Sequence, residues 1–341
     1  MPERYLIILL LLLAGWRSQA QWQLQQPGTS ASFRAVSAPS ATIMWAGGSQ
    51  GTVARTVDGG ASWQVLTIPG ADSLDFRGIV AFDASRAIVT SAGPAERNQA
   101  RIYETLDGGK SWQLRFQTQT AGVFFDGIAF WDRRHGIVFS DPVDGKWFLL
   151  CTQNGGRTWQ RIPPDALPPM HKGEAAFAAS NSAMVVEGRR NVWIGSGGAT
   201  AGRVFRSQNR GKSWTVAETP ILAGASSGIF GLRFWTSRHG MAVGGDYRQE
   251  KEPVQNIIAT SDGGQTWQPV TPVLPPGLKE AIGRLADGRL VAVGPSGTSV
   301  SADNGKTWVQ AVTEGFHALS CAGNTCWAVG ARGKIARQTF R

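Results

Sequence analysis

An eight-residue segment recurs six times in this chain and constrains the fold more than any other feature. Each copy begins with Ser or Thr, has Asp or Asn at its third position and Gly at its fifth, and ends in Ser or Thr followed by Trp. Successive tryptophans lie 49, 47, 55, 53 and 41 residues apart, a period typical of propellers, solenoids and other repeat arrays. The copies, called boxes below, are Thr56–Trp63, Thr105–Trp112, Thr152–Trp159, Ser207–Trp214, Thr260–Trp267 and Ser301–Trp308.

The residue types of the box predict a tight structural turn. The third side chain can accept hydrogen bonds from backbone N–H groups one to three residues on, and the glycines supply the positive φ of a tight hairpin. The tryptophan is expected to pack against the neighbouring unit. Each box offers one such side chain, whereas calcium needs about six to eight oxygens, so we expect no metal and no other cofactor. The third-position residues are Asp58, Asp107, Asn154, Asn209, Asp262 and Asp303.

Four short β-rich runs separated by turns make up each repeat, which predicts four-stranded antiparallel propeller blades. The last predicted blade ends with its third strand, at 334–338, and no box or fourth strand follows it. The missing outer strand is found near the start, where Trp22-Gln-Leu24 resembles Trp63-Gln-Val65. We therefore predict an all-β, seven-bladed β-propeller formed by residues 21–341 as a single domain, whose ring is closed by the N-terminal strand.

Residues 1–20 resemble a cleavable signal peptide. Arg4 precedes an apolar run over 6–14, and Ser18-Gln-Ala20 offers small residues at the positions that signal peptidase reads. The apolar run is far shorter than the roughly 20 residues of a membrane-spanning helix. We expect cleavage after Ala20, export, and a periplasmic or extracellular location.

The predicted export determines how the cysteines and the net charge are interpreted. Cys321 and Cys326 flank a short turn between two apolar runs and are predicted to form a disulfide in an oxidising compartment, whereas Cys151 is left as a buried core residue. Without residues 1–20 the formal net charge falls from +10 to +9. Exported proteins rarely meet nucleic acid, so we expect no nucleic-acid partner. The basic residues are scattered, which favours a solvated surface over the alternative, a basic patch for an acidic partner, a lipid headgroup or a polyanion.

The boxes resemble the Asp-boxes, or BNR repeats, of sialidases, other glycoside hydrolases and sorting-receptor propellers. The whole of 21–341 most resembles the photosystem II assembly and stability factors and similar exported bacterial propellers. This resemblance implies a seven-bladed propeller and a protein or peptide partner, including a membrane protein. It implies no photosynthetic host, because a shared fold does not carry an activity.

Alternating strand directions place the long, varied loops together on the face opposite the boxes, which favours that face as the functional one. The longest loops follow the second strands, or connect blades, in blades 2 to 5, and blades 3 to 5 are predicted to carry the site. The candidate binding residues there are Asp141, Lys146, Glu174, Arg203, Asp246, Tyr247 and Arg248.

Three functions fit this arrangement. The first is a non-enzymatic binding or assembly module that holds a protein or peptide on the loop face. The second is a secreted glycoside hydrolase that uses Asp141, Glu174 or Asp246 as acid and base, since paired carboxylates cleave glycosidic bonds. The third is a lectin that binds glycans through exposed aromatics such as Tyr247.

A sialidase is disfavoured within the second class. Its tyrosine nucleophile and arginine triad have no clear counterpart here, although Arg34, Arg77, Arg233 and Arg284 fall in first strands that line the axis. No other common catalytic motif occurs, which favours a protein that is not an enzyme.

Overall fold

Twenty-eight short strands form seven antiparallel sheets of four in the part of the chain that the structure describes. This computed structural model describes residues 21–253, 255–270 and 274–341, so the predicted signal peptide lies outside the described residues. The sheets follow one another as blades around a ring, and the predicted seven-bladed, all-β fold is confirmed. Two 3₁₀ turns, Ala95–Arg97 and Pro164–Ala166, are the helical elements of these residues.

In each blade the first strand is innermost and the fourth is outermost. Blades 1 to 4 contain β2 (Phe33–Ser37), β3 (Met44–Gly48), β4 (Thr52–Thr56) and β5 (Gln64–Thr67); β6 (Asp75–Ala81), β7 (Ala87–Ala92), β8 (Arg101–Thr105) and β9 (Gln113–Gln117); β10 (Phe125–Phe130), β11 (Gly136–Val143), β12 (Lys146–Thr152) and β13 (Gln160–Arg161); and β14 (Met184–Glu187), β15 (Asn191–Gly195), β16 (Arg203–Ser207) and β17 (Thr215–Glu218).

Blades 5 and 6 continue the order, and blade 7 combines both ends of the chain. They contain β18 (Ser227–Phe234), β19 (Gly240–Asp246), β20 (Ile257–Thr260) and β21 (Gln268–Pro269); β22 (Ala281–Arg284), β23 (Leu290–Gly294), β24 (Gly297–Ser301) and β25 (Val309–Val312); and β26 (Ala318–Ala322), β27 (Thr325–Val329), β28 (Ile335–Thr339) and β1 (Gln23–Leu24).

The N-terminal strand closes the ring as predicted. Gln23 pairs with Arg337, and Leu24 pairs with Ala336. Trp22 is buried beside this strand, where its indole nitrogen donates to Thr298 Oγ1 at 3.0 Å and its ring lies 5.1 Å from that of Phe316. The strand therefore joins blade 7 to blade 6 by packing as well as by backbone pairing.

Each box is a self-bonded turn, shown here by the first copy. Thr56 Oγ1 accepts the Gly60 N–H at 2.9 Å, and Asp58 Oδ1 accepts the Ser62 N–H at 2.9 Å. Asp58 thus reaches four residues on, one beyond the predicted span of one to three, whereas Asp262 of the fifth box also accepts the Gln265 N–H at 2.9 Å, three residues on. Side-chain and backbone hydrogen bonds from Ser62 lower the pKa of Asp58 to about 2. The side-chain oxygens of the box are thus occupied within the turn.

The hydrophobic core lies between adjacent blades. Trp147 of blade 3 packs on Phe205 of blade 4 with ring centroids 5.4 Å apart, and the box tryptophan Trp63 of blade 1 packs on Trp327 of blade 7 at 5.9 Å. Gly264 shows why the fifth box position is glycine, since a Cβ there would lie 3.3 Å from the Trp193 ring of the preceding blade at a φ of +85°.

Two cysteines are paired and one is free, as their spacing predicts. Cys321 and Cys326 are joined by a disulfide across the β26–β27 hairpin, and Cys151 is a free, partly buried thiol whose pKa is raised by burial. Among the described residues, no helix is long and apolar enough to cross a membrane.

Candidate functional site on the loop face

Four of the inner strands carry a β-bulge at the same place, close to the loop face. The register shifts between Phe33 and Ala35, Phe76 and Gly78, Phe125 and Gly127, and Ile229 and Gly231. The extra residues are Arg34, Arg77, Asp126 and Phe230. A β-bulge changes the direction of a side chain relative to the regular alternation of the strand. The side chains at these four positions can therefore face a site that the regular alternation would direct them away from.

The segment 175–183, called the plug segment below, crosses the central axis. Its Ala178 carbonyl accepts from Arg77 of blade 2 at 3.3 Å, and Asn181 bonds the backbone of Ile79 (3.1 Å) and Ile128 (2.9 Å) in blades 2 and 3. A second set of bonds leads to the opposite side of the ring, where Ser180 Oγ donates to the Glu280 carbonyl of blade 6 at 2.8 Å. A segment tied to blades 2, 3 and 6 must lie across the axis, so it blocks the channel.

Asp126 and Asp141 form a carboxyl pair at the edge of the plug segment. Asp126 is buried, and its Oδ2 has no hydrogen-bond partner among the described residues. Burial, followed by the charge of Asp141, raises the pKa of Asp126 well above its usual range. Burial also raises the pKa of Asp141 to about 6, although Asp141 Oδ1 accepts the Ala176 N–H at 3.1 Å. At neutral pH this site holds a proton more readily than an exposed pair of carboxylates would.

Glu174 is part of a buried ion pair with Arg203. Arg203 Nε donates to Glu174 Oε1 at 2.9 Å, and Arg203 Nη2 also contacts Glu174 Oε2. The same carboxylate accepts from Ser196 Oγ at 2.5 Å and from the His171 N–H at 2.8 Å. Its lone pairs are occupied and its side chain has no exposed surface, so it cannot reach a substrate in this conformation.

Lys146 is bonded to the same stretch of chain. Its Nζ donates to the Leu167 carbonyl at 2.6 Å, and Arg203 Nη2 donates to the Pro169 carbonyl at 3.0 Å. Both cations therefore fasten the long connection between β13 and β14 to the loop face. In this way Asp141, Lys146, Glu174 and Arg203 all meet around one connection.

Tyr247 joins blade 5 to that connection through stacked aromatic rings. The Tyr247 ring lies 5.9 Å from Phe177 in an edge-on arrangement, and Phe177 stacks on Phe230 with centroids 4.4 Å apart. We call these three side chains the aromatic column. Tyr247 is 43% exposed and Arg248 lies over its outer side at 5.9 Å, while Asp246 Oδ1 accepts the Arg248 N–H at 2.8 Å. The column runs from Tyr247 at the surface of the loop face, through Phe177 of the plug segment, to Phe230 in β18.

The remaining side of the mouth carries a charged cluster that the sequence analysis missed. His317 Nδ1 lies 2.6 Å from Glu280 Oε2, and Arg34 Nη1 lies 3.8 Å from Glu280 Oε1. Lys279 next to it is fully buried, donates to the Pro275 carbonyl and to Ser296 Oγ, and has a pKa lowered to about 8 by burial.

The four axial arginines divide between the two ends of the channel. Arg34 and Arg77 lie at the loop-face ends of β2 and β6, whereas Arg233 and Arg284 lie at the box-face ends of β18 and β22. Burial, followed by the charge of Arg284, lowers the pKa of Arg233. The four side chains therefore do not form one arginine set of the sialidase type.

Comparison with solved structures agrees with this architecture. A structure described as YCF48 bound to D1 peptide has a TM-score of 0.66 at 15% identity, over 94% of this chain and 97% of that one. YCF48 from Cyanidioschyzon merolae gives 0.67 at 15% identity, over 94% and 99%. The WD40 propeller domain of Doa1 gives 0.60 at 12% identity, over 94% and 98%.

These likenesses establish a shared fold. No protein family and no curated protein matches the sequence significantly.

Proposed function

We propose that this protein is an exported, non-enzymatic module that holds an extended segment of a protein partner on its loop face. The observation that carries the proposal is the aromatic column, which presents an exposed tyrosine on two rings already fixed by packing. Tyr and Arg are the side chains that most often anchor protein interfaces, and Tyr247 and Arg248 stand together here. Preorganised anchors lose little conformational entropy on binding.

The blocked axis supports the same proposal. With the plug segment across the channel, the loop face is a surface of rings and charges around a filled centre, a shape suited to a peptide that lies along it. The structure of a similar propeller, YCF48, contains a bound D1 peptide, so a propeller of this size and shape can hold a peptide. A segment of a membrane protein is a suitable partner for an exported module of this kind.

A glycoside hydrolase is the second candidate, and Asp126 with Asp141 is the observation in its favour. A carboxyl group whose pKa is raised by burial can act as a general acid near neutral pH. Glu174 is engaged with Arg203, however, and Asp141 and Asp246 belong to β11 and β19 of non-adjacent blades. The acid and base of such an enzyme would therefore be Asp141 with Asp126, whose pKa the charge of Asp141 raises further.

The deciding experiment is capture from the native cell envelope with matched variants. Tyr247→Ala combined with Arg248→Ala removes the surface anchor, and Leu114→Ala removes a similarly exposed apolar side chain from the outer strand β9. We expect one partner to be enriched by the parent protein and by Leu114→Ala but not by the double variant. A synthetic peptide from that partner should then bind with an affinity at least tenfold lower in the double variant.

The alternatives give different outcomes in the same experiment. Equal peptide affinity for the parent and the double variant would reject the loop-face site. Hydrolysis of a member of a glycan panel that is lost in Asp141→Asn would instead establish the glycosidase, and glycan binding without hydrolysis would establish the lectin. Export is tested separately, since N-terminal sequencing of protein recovered from the periplasm or medium should begin at Gln21.

A further inference from the structure

The box face has a large cavity between blades 3 and 4 whose walls are strongly basic. Its volume is about 780 Å³. Trp131, His135 and Thr152 form part of the blade 3 wall. Four cations define what we call the charged groove: Arg189, Arg190, Arg210 and Lys212. Arg161 also borders the cavity, but its guanidinium lies over the Phe148 ring at 4.7 Å, on the side of blade 3 that faces blade 2.

Few carboxylates offset this charge. Asp132 lies 3.4 Å from Arg210 Nη2 and also contacts His135 at 2.8 Å. Within the part of the chain that the structure describes, the other three cations of the groove have no carboxylate within 4.0 Å. Three like charges beside one concave space repel one another, so an anion bound there gains more than it would beside a single surface cation.

A second cavity on the box face shows which features of the charged groove come from the repeated fold and which come from its basic residues. A cavity of about 490 Å³ lies at the equivalent place between blades 5 and 6, lined by Trp235, His239 and Thr260 at the positions of Trp131, His135 and Thr152. The position of Arg161 is Pro269 there, and that of Arg210 is Asn304. A cavity at this place therefore follows from the propeller fold. Of the two cavities, only the one between blades 3 and 4 has a basic lining.

Arg210 carries a second, independent signal. It has a φ of +62° at the fourth box position, where the other boxes have Gly59, Gly108, Gly155 and Gly263 or, once, Asn304. A long side chain in the left-handed region is conformationally unfavourable, whereas Gly and Asn adopt it readily. The turn would be more relaxed with Gly or Asn, but the guanidinium fixes the turn between β14 and β15 beside the groove, because Nε donates to the Arg189 carbonyl at 2.7 Å and Nη2 to Asp132 Oδ2 at 3.4 Å.

We propose that the charged groove binds a ligand that bears at least two phosphoryl groups. Arginine matches phosphate oxygens in bidentate geometry, and a phosphoryl group carries a charge of about −1.5 to −2 at pH 7. Two such groups would balance the three cations that lack a carboxylate, which a single carboxylate could not do. The phosphoryl groups can belong to a free small molecule or to lipid headgroups, and the test distinguishes these sources.

The test is calorimetric titration with sodium pyrophosphate, together with sedimentation with vesicles of phosphatidylglycerol or of phosphatidylcholine alone. Lys212→Gln and Lys306→Gln form a matched pair, because both lysines follow the fifth-position glycine of a box but only Lys212 lines the charged groove. We expect Arg189→Gln with Arg190→Gln to weaken binding at least tenfold, Lys212→Gln to weaken it severalfold, and Lys306→Gln to leave it unchanged. Arg210→Asn should weaken binding while leaving the melting temperature unchanged or higher.

Each outcome decides the proposal. Pyrophosphate binding that follows this pattern identifies a free ligand, and binding only to phosphatidylglycerol vesicles in the same pattern identifies a lipid headgroup. Equal effects of Lys212→Gln and Lys306→Gln would mean general surface charge and would overturn the proposal, as would binding to neither probe. Tyr247→Ala should not affect either measurement, so failure here is distinct from failure of the loop-face function.

Discussion

Arg203 donates from both Nε and Nη2 to Glu174, and the two side chains are almost completely removed from solvent. Glu174→Gln would leave the guanidinium buried without its counter-charge. We expect a loss of about 3–5 kcal/mol in the free energy of unfolding, measured by urea denaturation. Glu314→Gln is the control, because Glu314 pairs with Lys334 while partly exposed and should cost at most about 1 kcal/mol. Similar losses for the two variants would show that the buried ion pair contributes no more to stability than the exposed one.

Trp22 should contribute more to stability than its place near the start of the described chain suggests. Its ring is buried between Phe316 and Phe340, so Trp22→Ala should cost about 3–5 kcal/mol in denaturant unfolding. Leu24→Ala, at a position 59% exposed in the same strand, should change stability little. Deletion of residues 21–26 should lower the melting temperature further, because it also unpairs the edge of β28. A deletion no worse than Leu24→Ala would show that the strand is not needed for closure.

Asp141 should make folding stability depend on pH between about 4 and 6. Its pKa is raised by burial from 3.8 to about 6, so the folded protein holds this proton more tightly than the unfolded chain does. The resulting stabilisation is complete below about pH 4 and is lost as the pH rises toward 6. Asp141→Asn keeps the acceptor for the Ala176 N–H and removes the titration. Its stability relative to the parent should therefore increase with pH across this range.

The matched control for this measurement is Asp144→Asn in the exposed turn that follows β11. The difference between that variant and the parent gives the baseline against which the Asp141→Asn difference is compared. Unfolding free energies at several pH values between 4 and 7 provide the test, and a flat difference for Asp141→Asn would show that Asp141 does not titrate in this range.

Asn181 should hold the plug segment in place. Its side chain accepts the Ile128 N–H and donates to the Ile79 carbonyl, so Asn181→Ala leaves two inner-strand groups unpaired at a cost of about 1–3 kcal/mol. Hydrogen exchange at the Ile128 amide should accelerate beyond what the global loss of stability produces. Asn324→Ala, at an exposed turn, should leave that amide unchanged. Unchanged exchange in Asn181→Ala would mean that the plug segment is held by its other contacts.

The fold was predictable because the repeat encodes it locally. Every box contains its own acceptors and glycines, so six copies and their spacing were enough to place the blades, and Trp22-Gln-Leu24 supplied the missing strand. The long connection between β13 and β14 lies outside the repeat, so the repeat does not predict its contacts. That Glu174 would meet Arg203, and that the plug segment would cross the axis, depends on contacts between residues far apart in the chain.

Asp126 was missed although the sequence contains a signal for it. Phe125-Asp-Gly-Ile128 matches Phe76-Arg-Gly-Ile79, so alignment of the inner strands would have placed Asp126 at the position of Arg77. The acidic candidates predicted from the sequence were instead residues of the expected loops. The pKa of Asp126 could not have been anticipated, because it is set by burial and by Asp141 on the neighbouring strand.

The closure of blade 7 has a consequence for how this protein is made. Trp22 and Thr298 are hydrogen-bonded across 276 positions of sequence, and the sheet that contains β1 also needs β28. Contacts of such long range form late and slowly, because a long loop must close before they contribute any stabilisation. An emerging chain can build its blades one after another, but it presents an unpaired strand edge until its last strands arrive. Closure of the ring therefore waits for β28, and a chain cut short before that strand leaves β1 unpaired and is exposed to proteases and aggregation.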